Sequence, residues 1–248
     1  MADAAQRKLH FSIVMPAYNE EAVVEKTLTT LADHLDRDGF SYEIIVIDDA
    51  SRDSTGAVVA RVASARPQIA CIRNEGPNGY GYAIRRGLDV YQGDAVVIVT
   101  ADGSDAPKDV AAFFRKIEEG FDCAFGSRFV EGAKVVGYPP LKLFMNRAAN
   151  AFIALVIGAR YDDFTNGFKC YRRGVIDAMQ PLVAGQFNIT IELCVKAILG
   201  GFRFSVTPTD WSEREAGQSS FNVFKLMRPY AATLIYCVTA DYLKKVRR

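Results

Sequence analysis

A mainly parallel α/β sheet with helices on both faces is the fold class this sequence predicts, on three observations. Apolar strand-like runs alternate with helical patterns through the first half of the chain. Three of these runs break into polar or acidic residues: "FSIVMPAYNEE" (11–21), "YEIIVIDDASRDST" (42–55) and "VIVTADGSDAP" (97–107). Half of the 248 residues are apolar, enough for a sizeable core. Strand–helix–strand spacing of this kind implies right-handed crossovers, and it gathers the polar strand ends along one sheet edge, where such sheets bind ligands.

In chain order, the strand at 11–15 leads into a helix from about 20 to 35. The strand at 43–47 leads into a helix that Asp53 or Ser54 caps and that runs to about Ala65. A strand at 69–73 precedes a glycine-rich turn and a helix at about 82–91, then a strand at 95–100, a helix at about 108–119 and a strand at 123–127. The second half is less regular: a helix at about 141–158, a polar turn "YDDFTNGFKCYRR" (161–173), a helix at 189–199, a strand at 203–207 and a final helix with basic ends. No Pro/Gly/Ser-rich hinge intervenes, so the reading is one domain over 1–222 with an appended amphipathic helix over 223–248.

Composition narrows the function. Thirty Lys and Arg against 29 Asp and Glu leave a net charge of +1, which gives no basic field for nucleic acid. Five cysteines without a C-x-x-C pair fit a reducing compartment and exclude structural zinc. The two histidines, His10 and His34, lie away from the acidic motifs, against a Ser-His-Asp hydrolase or a His-rich metal site. The N-terminal stretch has no apolar h-region, so no secretory signal is expected. The longest uncharged runs, 148–159 and 229–240, are about a dozen residues each, short of the roughly 18 to 20 of a spanning helix; they are expected to form buried or interfacial helices.

The acidic clusters carry the chemistry. Any one of Asp48, Asp49, Asp102 and Asp105 is explained as a turn former or helix cap. Two clusters at one edge repel each other unless a cation lies between them, and Mg²⁺ or Mn²⁺ held by one or two carboxylates takes substrate phosphates as further ligands. This predicts a metal-dependent nucleotide-type donor. Arg128 ends an apolar strand at the same edge, where a guanidinium clamps a phosphate bidentately; Arg147 and Arg214 follow in the chain. "NGYGYAIRRGL" (78–88) is not a dinucleotide fingerprint, because Ile84 stands where the third small residue belongs. Its glycines serve a tight turn or let backbone approach a ligand.

Together "VMPAYNEE", "VIDDASRDST", "NGYGYA", "TADGSD", "GSRF", "TNGFKCYRR" and "EREAGQSSF", in that order over residues 10–222, resemble the family 2 GT-A glycosyltransferases, and within them the dolichyl-phosphate mannose synthases and their bacterial polyprenyl-phosphate relatives. The resemblance implies the GT-A fold, a Rossmann-like, mainly parallel sheet. It implies that Pro16, Ala17, Tyr18, Glu20, Asp48, Asp49, Gly79 and Ala101 bind the nucleotide and that Mg²⁺ or Mn²⁺ sits on Asp102, with Asp105 as helper or helix cap. The family's D-x-D motif falls on Thr100-Ala101-Asp102, and Ser104 stands where the synthases usually carry a glutamine ligand; both departures weaken the metal site. Arg128, Arg147, Thr165 and Asn166, with Gly167 and Phe168, would form the acceptor and sugar pocket, and Arg214 would close over the donor pyrophosphate. Lys142 is an alternative to Arg147.

A phosphate acceptor is already ionised near neutral pH, so attack on the anomeric carbon needs positioning and charge neutralisation more than a base, and direct displacement inverts the centre. A hydroxyl acceptor would need a carboxylate base, for which Asp162, Asp163 and Glu192 are candidates. A third reading is a catalytically weak nucleotide-sugar-binding subunit. A lipid acceptor places the protein at the cytoplasmic face of a membrane, held by the basic-ended terminal helix or by a membrane subunit.

Overall fold

The structure, a computed structural model, describes residues 8–212 and 223–246. In its first half β1 (His10–Ala17), α1 (Val24–Arg37), β2 (Ser41–Asp48), α2 (Thr55–Ala65), β3 (Ile69–Arg73), α3 (Tyr80–Leu88), β4 (Ala95–Ile98), α4 (Pro107–Glu118) and β5 (Cys123–Ser127) alternate as expected. The second half holds β6 (Val135–Val136), α5 (Pro140–Ile157), β7 (Lys169–Arg172), α6 (Arg173–Ala178), α7 (Ile189–Leu199), β8 (Phe204–Pro208), β9 (Trp211–Ser212) and α8 (Val223–Val246).

Seven strands form one sheet in the order β3-β2-β1-β4-β7-β5-β8; β6 and β9 make a separate two-stranded ribbon. β1 pairs in parallel with β2 and β4, whereas β7 runs antiparallel to both β4 and β5. Side chains alternate across the sheet. Ile13 and Met15 pack with Leu28, Leu35, Val59 and Phe114 on one face; Val14 and Ile47 pack with Ile84 and Ile191 on the other. α8 joins this second layer through buried Leu234 and Cys237, and Asn188 Nδ2 donates to Thr233 Oγ at 2.8 Å. All five cysteines are free thiols.

The structure corrects two expectations. The segment read as a polar turn contains β7 and runs into α6, because the charged ends of "KCYR" conceal a strand in which Lys169, Cys170 and Tyr171 are buried. No spanning helix was expected, yet the 18 residues of α5 are long and apolar enough to cross a membrane by length and composition, with 11% of that window buried. Lys142 and Arg147 break the uncharged run without lowering the helix below that threshold.

Candidate active site

Adjacency of β1, β2 and β4 brings the three polar strand ends together. The first two loops clasp each other. Asp49 N–H donates to Ala17 O at 2.8 Å, Glu20 N–H to Thr55 Oγ at 2.8 Å, and Ser54 N–H to Glu21 Oε2 at 2.8 Å. At the start of α2 the N-cap Ser54 makes no side-chain capping hydrogen bond; Asp53, one residue earlier, accepts from Thr55 N–H at 2.9 Å. Pro16 and Ala17 end β1 in the core, while Tyr18 stands 51% exposed over the edge. Asn19 and Ala50 take positive φ of 55° and 60° to make these turns.

Asp48 and Asp49 are both buried, and both organise backbone. Asp48 accepts from Ser51 N–H at 2.9 Å and from Arg73 Nη1 at 2.6 Å. Asp49 accepts from Asn74 Nδ2 at 2.7 Å and Gly79 N–H at 2.7 Å, so it ties down the turn before α3. That turn faces protein on its other side. A Cβ at Gly79 would lie 2.6 Å from Gly185 O, and one at Gly81 would lie 2.7 Å from both Ala184 O and Gln186 O. The glycines therefore admit a neighbouring backbone segment, 184–186, on this side of the turn. Gly81→Ala is expected to cost about 1–3 kcal/mol, because the atoms it strikes are main chain and cannot rotate away; a melting curve indistinguishable from wild type would contradict this.

The third loop is a knot of oxygens around one hydroxyl. Thr100 Oγ lies 2.8 Å from Asp102 Oδ1, 2.9 Å from Ser104 Oγ and 2.8 Å from Asp105 Oδ2. With both carboxylates ionised, the Thr100 and Ser104 hydroxyls have two protons for these three contacts, so the knot gathers more acceptors than donors. Burial pushes the Asp105 carboxyl up to about 6, against the opposing hydrogen bonds from Thr100 and the Arg128 charge. Among the described residues no three His, Cys, Asp or Glu converge as a metal cage. The set is nevertheless all hard oxygen with two carboxylates, a composition that fits Mg²⁺ or Mn²⁺ completed by phosphate and water. Asp102 and Asp105 also line a cavity of about 240 Å³ with Lys26 and Thr27 of α1. Ala101, between Thr100 and Asp102, is buried.

Arg128 follows β5. Its expected bidentate clamp is made, but to a protein carboxylate: Nε and Nη2 donate to Asp163 Oδ2 and Oδ1 at 2.8 and 2.7 Å, and its N–H donates to Oδ2 at 3.0 Å. Asp163 is fully buried and Arg128 11% exposed. Burial alone would lower the Arg128 pKa, and the Asp163 contacts more than offset it, so the guanidinium is held charged. Thr165 Oγ accepts from Arg128 at 3.3 Å and from Asn146 Nδ2 at 2.9 Å, and Asn166 Nδ2 donates to Gly126 O at 3.1 Å. Arg147 is the more open cation, half exposed, 4.5 Å from the Phe129 ring centroid and 3.5 Å from Asp162. Glu192 points elsewhere: its carboxylate takes the N–H groups of Val183 and Ala184 and pairs with Lys196 at 2.6 Å. Arg214 lies outside the described residues.

The family profile of "Glycosyl transferase family 2" matches residues 12–179, which span every element from β1 to α6. The chain belongs to glycosyl transferase family 2. The family 2 relatives include "Polyprenol monophosphomannose synthase" of Mycolicibacterium smegmatis, 29% identical over 85% of this chain and 80% of its own length. "Dolichol-phosphate mannosyltransferase" of Pyrococcus furiosus is 30% identical over 75% of this chain, which spans about half (52%) of that relative. Among solved structures, a mycobacterial protein superposes with a TM-score of 0.72 at 18% identity, covering 92% of this chain and 74% of the other. Glucosyl-3-phosphoglycerate synthase from Mycobacterium tuberculosis, solved with Mn²⁺, UDP and phosphoglyceric acid, superposes at 0.69 and 19% identity, covering 92% and 78%. These likenesses establish the shared GT-A architecture. Within the family 2 site, sequence reasoning missed the Asp163 partner of Arg128, the Asn146 and Asn150 hydrogen bonds to the Thr165 loop, and Lys169 beneath it. The run of polar residues at 161–166 was the available signal.

Proposed function

We propose that this chain transfers a hexose from a nucleoside-diphosphate sugar to a polyprenyl or dolichyl phosphate, with inversion at the anomeric carbon. The observation that carries the reading is the gathering of the Asp102 and Asp105 carboxylates on one cavity at the sheet edge, tied by the Thr100 hydroxyl and within reach of the Arg128 charge. The names of the two mannosyl-transferring relatives support the acceptor class.

In this reading Pro16, Ala17, Tyr18, Glu20, Asp48 and Asp49 frame the base and ribose, with Asp48 and Asp49 acting through the loops they hold. Asp102 and Asp105, with the Thr100 and Ser104 hydroxyls, would hold Mg²⁺ or Mn²⁺. When bound, the ion supplies charge stabilisation for the departing nucleoside diphosphate. Arg147 receives the acceptor phosphate, and Arg128 with Asp163 fixes Thr165 and Asn166 around it. A hydroxyl acceptor is disfavoured because the carboxylates proposed as its base are engaged: Asp163 by Arg128, Glu192 by two amides and Lys196, and Asp162 by Ser127 Oγ at 2.7 Å.

The acceptor's lipid is reached through α5. Leu141, Phe144, Phe152 and Leu155, at spacings of three, eight and three residues, form one stripe of the helix, 73, 70, 61 and 80% exposed. Lys244 and Lys245 in the last turn of α8 add basic surface suited to anionic lipid at the cytoplasmic face of a membrane. Arg214 remains the proposed closing residue over the donor.

The test has two steps. Melting temperatures with GDP, UDP, CDP and dTDP, each with Mn²⁺ and with EDTA, are expected to rise by several degrees for one base and to lose that rise in EDTA. The sugar nucleotide of that base is then offered with polyprenyl phosphate or polyprenol in anionic vesicles. Transfer to the phosphate alone is expected; equal transfer to the alcohol, or none to either, would refute the acceptor assignment.

A further inference from the structure

We propose that Lys169 is the positioning residue of the acceptor loop, its buried ammonium holding the main-chain carbonyls of Asp163, Phe164 and Asn166 so that Thr165 and the Asp163 partner of Arg128 keep their places. The part of this inference that concerns acceptor use rests on the function proposed above. Lys169 begins β7 and is 1% exposed. Its Nζ donates to Asp163 O at 3.2 Å, to Phe164 O at 3.5 Å and to Asn166 O. An ammonium has three N–H donors, and three carbonyls take them.

Beside these bonds, the Thr165 N–H donates to Asn150 Oδ1 at 3.2 Å, but the carbonyls of Phe164 and Asn166 depend on the ammonium. Within 163–166 the only backbone–backbone hydrogen bond among the described residues outside regular elements runs from Asn166 N–H to Asp163 O, at 3.2 Å. The side chains of the same residues reach outward to the site, Asp163 and Thr165 to Arg128 and Asn166 to Gly126 O. The ammonium itself is anchored in the middle of the sheet, where Lys169 pairs with Ile98 of β4 on one side and Phe125 of β5 on the other. The Phe125 and Tyr161 rings lie 5.9 and 5.5 Å from it. A buried lysine is costly, and its pKa is lowered by that burial. An apolar side chain would fill the space more cheaply, so the charge is retained for what it orders.

Lys169→Met keeps the length and removes the donors; Lys169→Arg keeps a cation with donors. In the full-length protein, amide hydrogen exchange at 163–168 is expected to quicken at least tenfold in Lys169→Met, with nucleotide affinity within twofold of wild type and the KM for polyprenyl phosphate raised at least tenfold. Lys169→Arg is expected to restore most of both effects. If Lys169→Met does not fold, Lys169→Gln, with two donors, serves the same comparison. Unchanged exchange at 163–168, or a rise in KM shared equally by donor and acceptor, would overturn the proposal. Should wild type fail to use polyprenyl phosphate at all, the proposed function falls while the exchange measurement still decides the role of Lys169.

Discussion

Asp102→Asn is expected to lower kcat/KM for sugar transfer on the order of 10³-fold and to raise the Mn²⁺ concentration needed for half-maximal rate, with the fold intact. Thr100 stands where a family 2 D-x-D motif would supply a first carboxylate, so Asp102 and Asp105 carry all the formal negative charge of that loop. Asparagine preserves the oxygen that Ser104 N–H (2.9 Å) and Thr100 Oγ use, and removes only the charge. The loop should therefore keep its shape while the cation loses half of its carboxylate charge. Steady-state rates across a Mn²⁺ titration provide the check, with the melting temperature as control for folding. A variant within threefold of wild type at every Mn²⁺ concentration would remove Asp102 from the metal site and leave the third reading, nucleotide-sugar binding without metal-dependent turnover, as the better one.

The second large effect is on stability. Asp163→Asn leaves the nearly buried Arg128 guanidinium without its hydrogen-bonded carboxylate partner, and breaking a buried pair from one side costs about 3–5 kcal/mol. For a chain of this size that corresponds to a fall in melting temperature of roughly 10 °C. Removing both charges, as Arg128→Met with Asp163→Leu, should recover most of the loss, since two apolar groups of similar volume ask nothing of each other electrostatically. The double variant should fold and still fail to transfer sugar, separating what the pair does for the fold from what it does for the site. A cost below about 1 kcal/mol for Asp163→Asn would mean that water reaches the guanidinium and that the pair does not order the loop.

The parallel half of the molecule was legible because its signals are local. The expected strands at 69–73 and 123–127 and the expected helix at 189–199 coincide with β3, β5 and α7, where apolar runs end at turn residues. β7 was illegible for an electrostatic reason. Lys169 reads as a surface residue in sequence, and only the fold reveals three carbonyls converging on its ammonium. The site divides in the same way. Carboxylates at strand ends are visible as a pattern, so the acidic edge was found. Whether a given carboxylate faces a ligand or a neighbouring amide depends on contacts between distant segments, such as Asp49 with Gly79 and Glu192 with Val183 and Ala184. Arg128 illustrates the limit: its position at the edge was correct, and its partner, 35 residues away, was not deducible from spacing.

The strand order has a kinetic consequence. β3, β2, β1 and β4 come from the first 98 residues, yet β4 does not touch β5, its successor in the chain; the two are joined only across β7, four residues long. Before β7 inserts, the sheet exists as two unconnected pieces. Closing it requires loops of some 70 residues between β4 and β7, the kind of non-local contact that delays folding. The part built from β1 to β4 pairs among its own strands and is expected to form early, whereas β5 and β8 join it only when β7 arrives. Insertion of β7 is then the step expected to bring the acidic edge and the 163–166 loop within reach of each other, so a chain caught before it is expected to lack an assembled site.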